Sequence, residues 1–246
     1  MTLNHQLVLG QSTFPTALAR PGMVNSCQFY SPGSAEFNHV PIPDSLHDAA
    51  QKRQVEYRAG RYCAYGALET LGEAPCYPAI ARSGAPIWPK GVVASLSHSH
   101  GKAVCVAART ESFRGVGVDI EPVISDQVAH KISRKIAHTC ELGLLTDTFG
   151  LGCAITIIFC AKESIYKAIF STVKRYVDFH EMELDQICID GLIFRPAESV
   201  SRLLPHATSL YVSFVVQNET VLALCSYGDT GPKSRMICAL EKGVTS

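Results

Sequence analysis

An α+β fold of two lobes is what the order of hydrophobic patterns predicts for this chain of 246 residues. Weak β-like runs, one long helical segment and a hairpin fill the first half; a strand, two helical segments and two hairpins fill the second. The second half loosely echoes the first, so two α/β lobes are expected, over 1–114 and 115–246, joined near Arg114. No residue-level repeat accompanies the echo. The length is enough for one large domain or two small packed ones to bury a core.

Residues 1–43 are rich in Pro, Gly and Ser and predict short strands and loops. Ser45-Leu46-His47-Asp48 resembles a capping box and predicts a helix over about 45–71, stopped at Gly72. Pro75, Pro78, Pro86 and Pro89 make the next stretch an ordered loop. Val92–Ser97 and Ala103–Ala108, separated by a His/Ser/Gly turn, predict a hairpin, and Gly115–Glu121 a strand. Val128, Ile132 and Ile136 stand four apart and predict one amphipathic helix from Ser125 to about Leu142. Another helix is expected over about 153–173. Asp190-Gly191 is a type I′ turn signal between Ile187–Ile189 and Leu192–Phe194. A last hairpin pairs Leu210–Val216 with Val221–Tyr227, turning at Asn218.

Charge and composition exclude several classes. With 22 basic and 22 acidic residues the net charge is zero, which argues against a nucleic-acid binder. The longest apolar run, Leu151–Cys160, is about half a membrane span. Met1–Gly10 carries His5 and lacks the apolar core of a secretory signal. The ten cysteines contain no CxxC pair and read as small buried hydrophobes of a reduced, cytoplasmic protein. The nine histidines show no zinc-ligand spacing.

Four clusters carry chemistry. In Gly115-Val116-Gly117-Val118-Asp119-Ile120-Glu121, strand alternation sends Val116, Val118 and Ile120 to one face and both carboxylates to the other. Two glycines share the acidic face and leave room for a ligand. Paired carboxylates with phosphate and water suit Mg²⁺, although a hydrated sheet edge gives the same pattern. Second, Glu163 and Lys167 stand four apart on an apolar helical segment beside Phe159. That is either an exposed ion pair or a desolvated pair awaiting a ligand. Third, Ser97 and His98 sit near a hairpin turn, where hydroxyl, imidazole and free N–H groups can hold phosphate, or where His98 is simply a structural hydrogen-bonder. Fourth, Arg53 and Arg61 share a helical stripe with Tyr57, Ala64 and Leu68, and either grip phosphate or pair with acids inside the fold. Arg58 and Lys52 lie off that stripe and are expected in solvent.

Taken in order, Ser-Leu-Ser-His-Ser (95–99), Gly-Val-Gly-Val-Asp-Ile-Glu (115–121) and Phe-Cys-Ala-Lys-Glu-Ser-Ile-Tyr-Lys-Ala (159–168) are similar to the three signatures of 4′-phosphopantetheinyl transferases. The Gly84–Pro89 loop and Glu56–Arg61 further resemble the enterobactin-synthetase-activating branch of the surfactin-type superfamily. The resemblance implies two lobes related by a pseudo-twofold with the active site between them, and transfer of phosphopantetheine from coenzyme A to a serine of an acyl or peptidyl carrier protein. It also implies Mg²⁺ on Asp119, Glu121 and Glu163, phosphate contacts from Lys162 and Lys167, and a nucleotide site around Ser97 and His98. Glu163 or a metal-bound hydroxide would take the serine proton, and Lys167 would stabilise the developing charge. Relatives often carry lysine where this chain has Ala85, so Arg82 or Arg61 would substitute. Lys131, Arg134 and Lys135 are expected at the carrier-docking rim, or simply on a solvated helix face. A monomer is expected. A Mg²⁺-dependent phosphohydrolase or a non-catalytic coenzyme A-binding module would use the same cleft.

Overall fold

Two antiparallel sheets organise the chain, which is described over residues 14–205 and 207–228 by a computed structural model. The first sheet has the order β1 (Met23–Phe29), β3 (Lys102–Arg109), β2 (Val92–Ser99). The second runs β4 (Gly115–Pro122), β8 (Thr220–Tyr227), β7 (Leu210–Gln217), β6 (Gly191–Pro196), β5 (Met182–Cys188). Helix α1 (Gln51–Thr70) covers the first sheet. Helices α2 (Asp126–Ile136), α3 (Thr139–Phe149) and α4 (Leu151–Val173) accompany the second. The Met1–Gly10 segment read for a signal lies outside the described residues.

Strand alternation explains the layering. On β3, Ala103, Cys105 and Ala107 meet Ala59, Cys63, Ala64 and Leu68 of α1, while Val104, Val106 and Ala108 turn the other way. That second set packs on Val116, Val118 and Ile120 of β4 and on Leu222 and Leu224 of β8. Strand β3 is therefore covered on both faces and reads as a continuous apolar run. The remaining face of β8, with Val221, Ala223 and Cys225, packs against Ile157, Ile158, Ile165 and Ile169 of α4. Helix α4 is apolar nearly all round because it is buried nearly all round.

Most expected elements are present; the departures each have a physical cause. Helix α1 begins at Gln51 behind a 3-10 turn over Asp44–Leu46, with Ala50 as an N-cap that makes no side-chain bond, so Ser45 is not its cap. Its end does fall at Gly72, whose φ is +81°. Arg58 is half-buried rather than solvated, because its Nε donates to the Val40 carbonyl at 3.1 Å. The single helix expected from Ser125 is two: Ala137 is extended (φ −144°, ψ 151°), and a capping box of His138 and Glu141 starts α3. The Asp190-Gly191 turn falls one residue earlier, since Cys188 pairs with Gly191 and leaves Ile189-Asp190 as the loop. Gly191 is needed inside the sheet, where a Cβ would strike the Val212 carbonyl and the Tyr211 hydroxyl. A two-residue loop with both central φ positive does form at Asn218 (49°) and Glu219 (53°).

Helix α4 crosses β4 at Gly115 and Gly117. A Cβ on Gly117 would overlap the backbone carbonyl of Ser164, and one on Gly115 that of Ala168. These glycines make room for the helix, not for a ligand as their place in the strand suggested. Gly117→Ala should therefore destabilise by about 1–3 kcal/mol, the usual cost of forced backbone shifts. Gly143→Ala, on an exposed turn of α3 with nothing near its Cβ position, should instead stabilise by up to about 1 kcal/mol. Urea melts of the two variants check the contrast, and equal effects would refute the close-approach account.

Candidate active site

Strands β2 and β4 are the facing edges of their two sheets, and three serines of β2 staple them together. Ser95, Ser97 and Ser99 alternate onto one face of the pleat. Ser95 Oγ accepts the Val118 N–H at 3.0 Å. Ser97 Oγ donates to Asp119 Oδ1 at 2.8 Å, and Ser99 Oγ to Glu121 Oε2 at 3.0 Å. The strand that supplies the carboxylates is thus held by the strand of the other lobe.

A cleft of about 370 Å³ opens at this seam, lined by Leu96, Ser97 and His98 from β2, Asp119 and Glu121 from β4, and Phe159, Glu163 and Lys167 from α4. The i,i+4 spacing of Glu163 and Lys167 puts both on the cleft side of α4. Lys167 Nζ donates to Asp119 Oδ1 at 2.6 Å and to the Val118 carbonyl at 3.1 Å. Asp119 is 3% exposed, and its second oxygen, Oδ2, is buried without a hydrogen-bond partner. Burial first, then the Asp119 charge, raises the pKa of Glu121 above the ordinary carboxylate range. The same two causes raise Glu163. His98 is shifted the other way, by burial and then by the Arg53 guanidinium, whose Nη1 lies 3.5 Å from His98 Nε2.

Three acids facing one lysine leave a charge deficit that a cation would correct. The buried, unpartnered Asp119 oxygen is the acceptor such an ion needs. Among the described residues, no three His, Cys, Asp or Glu side chains are grouped tightly enough to cage a metal ion alone. An open set of this kind fits Mg²⁺, which keeps water and substrate phosphate oxygens alongside one or two carboxylates.

The other expected site residues divide. Arg53 stands at the rim beside His98, half-exposed and 3.9 Å from Glu56. Arg61 is 4% exposed and does not line the cleft; its guanidinium lies 4.6 Å from the centre of the Tyr57 ring, and its Nε donates to the Tyr57 hydroxyl. No carboxylate pairs with it among the described residues. Ser97 spends its proton on Asp119 and so orients a carboxylate. Lys162 departs from expectation: its side chain is 1% exposed and its Nζ lies 2.7 Å from Glu141 Oε1, away from the cleft, because a buried carboxylate claims it. Sequence reading missed Ser95, Ser99 and Glu141. The Ser-x-Ser-x-Ser period was a signal for the first two, and nothing local marked Glu141.

An acidic cleft between two sheet-and-helix lobes, with a lysine at its wall, is a site whose excess negative charge suits a cation or a cation-bridged ligand. A family model of the 4′-phosphopantetheinyl transferase N-terminal domain matches residues 43–108, and one of the 4′-phosphopantetheinyl transferase superfamily matches residues 115–225. The chain is 34% identical over 172 residues to 4′-phosphopantetheinyl transferase Npt of Nocardia iowensis, covering 64% of this chain and 74% of that protein. It is 36% identical to enterobactin synthase component D of Salmonella typhi, over 52% of this chain and 53% of that one. To 4′-phosphopantetheinyl transferase PptT of Mycobacterium tuberculosis it is 33% identical, over 59% and 65%. The chain thus spans about half to three quarters of the length of these relatives. Holo-[acyl-carrier-protein] synthase of Neisseria meningitidis aligns with 46% of this chain and 97% of its own at 19% identity and a TM-score of 0.38, too weak a likeness to argue from. The chain belongs to the 4′-phosphopantetheinyl transferase superfamily. No described helix is long and apolar enough to cross a membrane.

Raised carboxyl pKa values carry a testable sign. A raised folded-state pKa means that the folded chain binds the proton more tightly than the unfolded one. Ionised Glu163 therefore opposes folding, fully above its raised pKa and not at all below the unfolded value. With chelator present, Glu163→Gln should melt above the parent at about pH 8, and the advantage should vanish near pH 4, where the unfolded carboxyl is protonated. A variant that melts lower at pH 8 would contradict the repulsion.

Proposed function

We propose that this chain transfers 4′-phosphopantetheine from coenzyme A to a serine hydroxyl of an apo acyl or peptidyl carrier protein, releasing 3′,5′-adenosine diphosphate. The observation that carries the reading is the convergence of Asp119, Glu121, Glu163 and Lys167 on one interlobe cleft in a member of this superfamily. Family membership favours neither a phosphohydrolase nor a non-catalytic binding module.

Asp119, Glu121 and Glu163 would hold Mg²⁺, which when bound neutralises the pyrophosphate and stabilises the leaving diphosphate. Glu163, at the cleft wall, takes the proton of the carrier serine, directly or through a water. The serine oxygen attacks the phosphorus bearing pantetheine, and the bond to the bridging oxygen of the leaving adenosine diphosphate breaks. Lys167 stands beside that charge and donates to it. Ser97 and Lys167 together fix one Asp119 oxygen and so leave the other for the metal. His98 and Arg53 would form the nucleotide end, where an imidazole and a guanidinium suit the 3′-phosphate, whereas Arg61, buried against Tyr57, stands off the cleft. An acidic carrier is the expected partner, met by the exposed Lys131, Arg134 and Lys135 of α2 beside exposed Val128. Resemblance to enterobactin synthase component D supports a siderophore peptidyl carrier as one such substrate.

Incubation with coenzyme A, Mg²⁺ and a panel of apo carriers should add one phosphopantetheine mass to the carrier serine. Free 4′-phosphopantetheine with no modified carrier would overturn the transfer in favour of hydrolysis. His98 should titrate at higher pH with coenzyme A bound than with dephospho-coenzyme A, because the 3′-phosphate favours imidazolium. Proton NMR of the imidazole checks this, and identical titrations would remove His98 from the 3′-phosphate.

A further inference from the structure

Lys162 and Glu163 are neighbours on α4, yet only Glu163 reaches the cleft. Consecutive helical positions diverge by about 100°, and Lys162 turns into the lobe. Its Nζ donates to the Ile136 carbonyl at 2.9 Å and pairs with Glu141 Oε1 at 2.7 Å. Glu141 is fully buried. Its Oε1 also accepts the Leu184 N–H at 2.8 Å, and its Oε2 the His138 N–H at 2.7 Å. One ion pair therefore gathers the end of α2, the start of α3, the middle of α4 and strand β5. The broken helix at Ala137–His138 follows from this arrangement, since the last carbonyl of α2 and the N–H of His138, the N-cap of α3, are both spent on it.

The space beside Lys162 is no alternative phosphate site. It is bordered by Glu163, Tyr166, Tyr176 and Phe179 and amounts to about 10 Å³, no more than one water molecule needs. A phosphate could reach the ammonium only by breaking a pair that is 1% and 0% exposed.

We infer that Lys162 is a positioning residue, not a phosphate ligand: with Glu141 it forms a buried hub that sets the rotation of α4 and so aims Glu163 into the cleft. The inference rests on the cleft being the transfer site. Adjacent residues of one motif then divide the work, Lys162 inward for geometry and Glu163 outward for chemistry. Because the hub has two charges, its role separates from phosphate binding by a cycle of substitutions. Removing one charge strands the other, whereas replacing both with apolar groups of similar volume relieves the desolvation.

The experiment compares Lys162→Met, Glu141→Leu and the double variant, measuring Tm, coenzyme A affinity by calorimetry, and kcat and KM at a temperature where each is folded. Each single change should lower Tm by roughly 6–20 °C, and the double should regain at least half the loss. The double should bind coenzyme A within about threefold of wild type, less than one kcal/mol by the affinity relation, while kcat falls about tenfold or more from the loosened Glu163. A double variant that recovers Tm but loses tenfold or more in coenzyme A affinity would restore Lys162 to the phosphate site. One with unchanged kcat would reduce the hub to a stabilising pair and sink the positioning role. If the double fails to fold, reductive methylation of the wild type followed by peptide mass mapping decides between ligand and hub. Lys162 should resist labelling with and without coenzyme A, whereas labelling that coenzyme A blocks would overturn the inference. A wild type that binds coenzyme A but modifies no carrier counts against the transferase reading alone, and the Tm and affinity cycle still tests the hub.

Discussion

The contact of α4 with β4 at two side-chain-free positions governs the site. Gly115 and Gly117 let the carbonyls of Ala168 and Ser164 approach the strand backbone directly, which no other residue permits. That approach brings Glu163 and Lys167 into reach of Asp119 and Glu121. It also lets Lys167 donate at once to a main-chain carbonyl and a carboxylate of β4. The valines and isoleucine of the same strand point the opposite way, into the core between the sheets. One strand thus joins the lobes through its apolar face and builds the acidic wall through its other.

The acidic wall is held under electrostatic tension. Two carboxylates have raised pKa values and a third has a buried oxygen without a partner, a set of strains that a bound cation would relieve. Such strain survives because the surroundings over-determine it: Ser97 and Ser99 bond two of the acids, and Lys167 pairs with one of those. The lobe that lacks the carboxylates therefore positions them, through hydroxyls on its edge strand. Readiness for a cation and stability of the free protein pull in opposite directions here, since perturbed carboxylates of this kind cluster where a site is prepared for a charged ligand.

Much of the fold was legible in sequence because it obeys short-range rules. Alternation in 115–121 assigned both faces of β4, Gly72 ended α1, and spacing alone put Glu163 with Lys167. Errors arose where distant groups override local preference. The pattern over Ser125–Leu142 is helical throughout, yet a lysine more than twenty residues away claims the Ile136 carbonyl and the Glu141 carboxylate and breaks it. Asp190-Gly191 favours a left-handed turn, but Tyr211 and Val212 need the glycine inside the sheet.

By itself, the sequence determined which residue types face which side of each element, and three ordered motifs were enough to point to the family. Tertiary structure alone decided what each polar group meets. Lys162 and Lys167 look alike in sequence, five positions apart on one helix. One is buried against Glu141, and the other stands at the cleft on Asp119. Periodicity reports direction around an axis, whereas the partner at the end of a long side chain is set by elements that the chain brings in from far away.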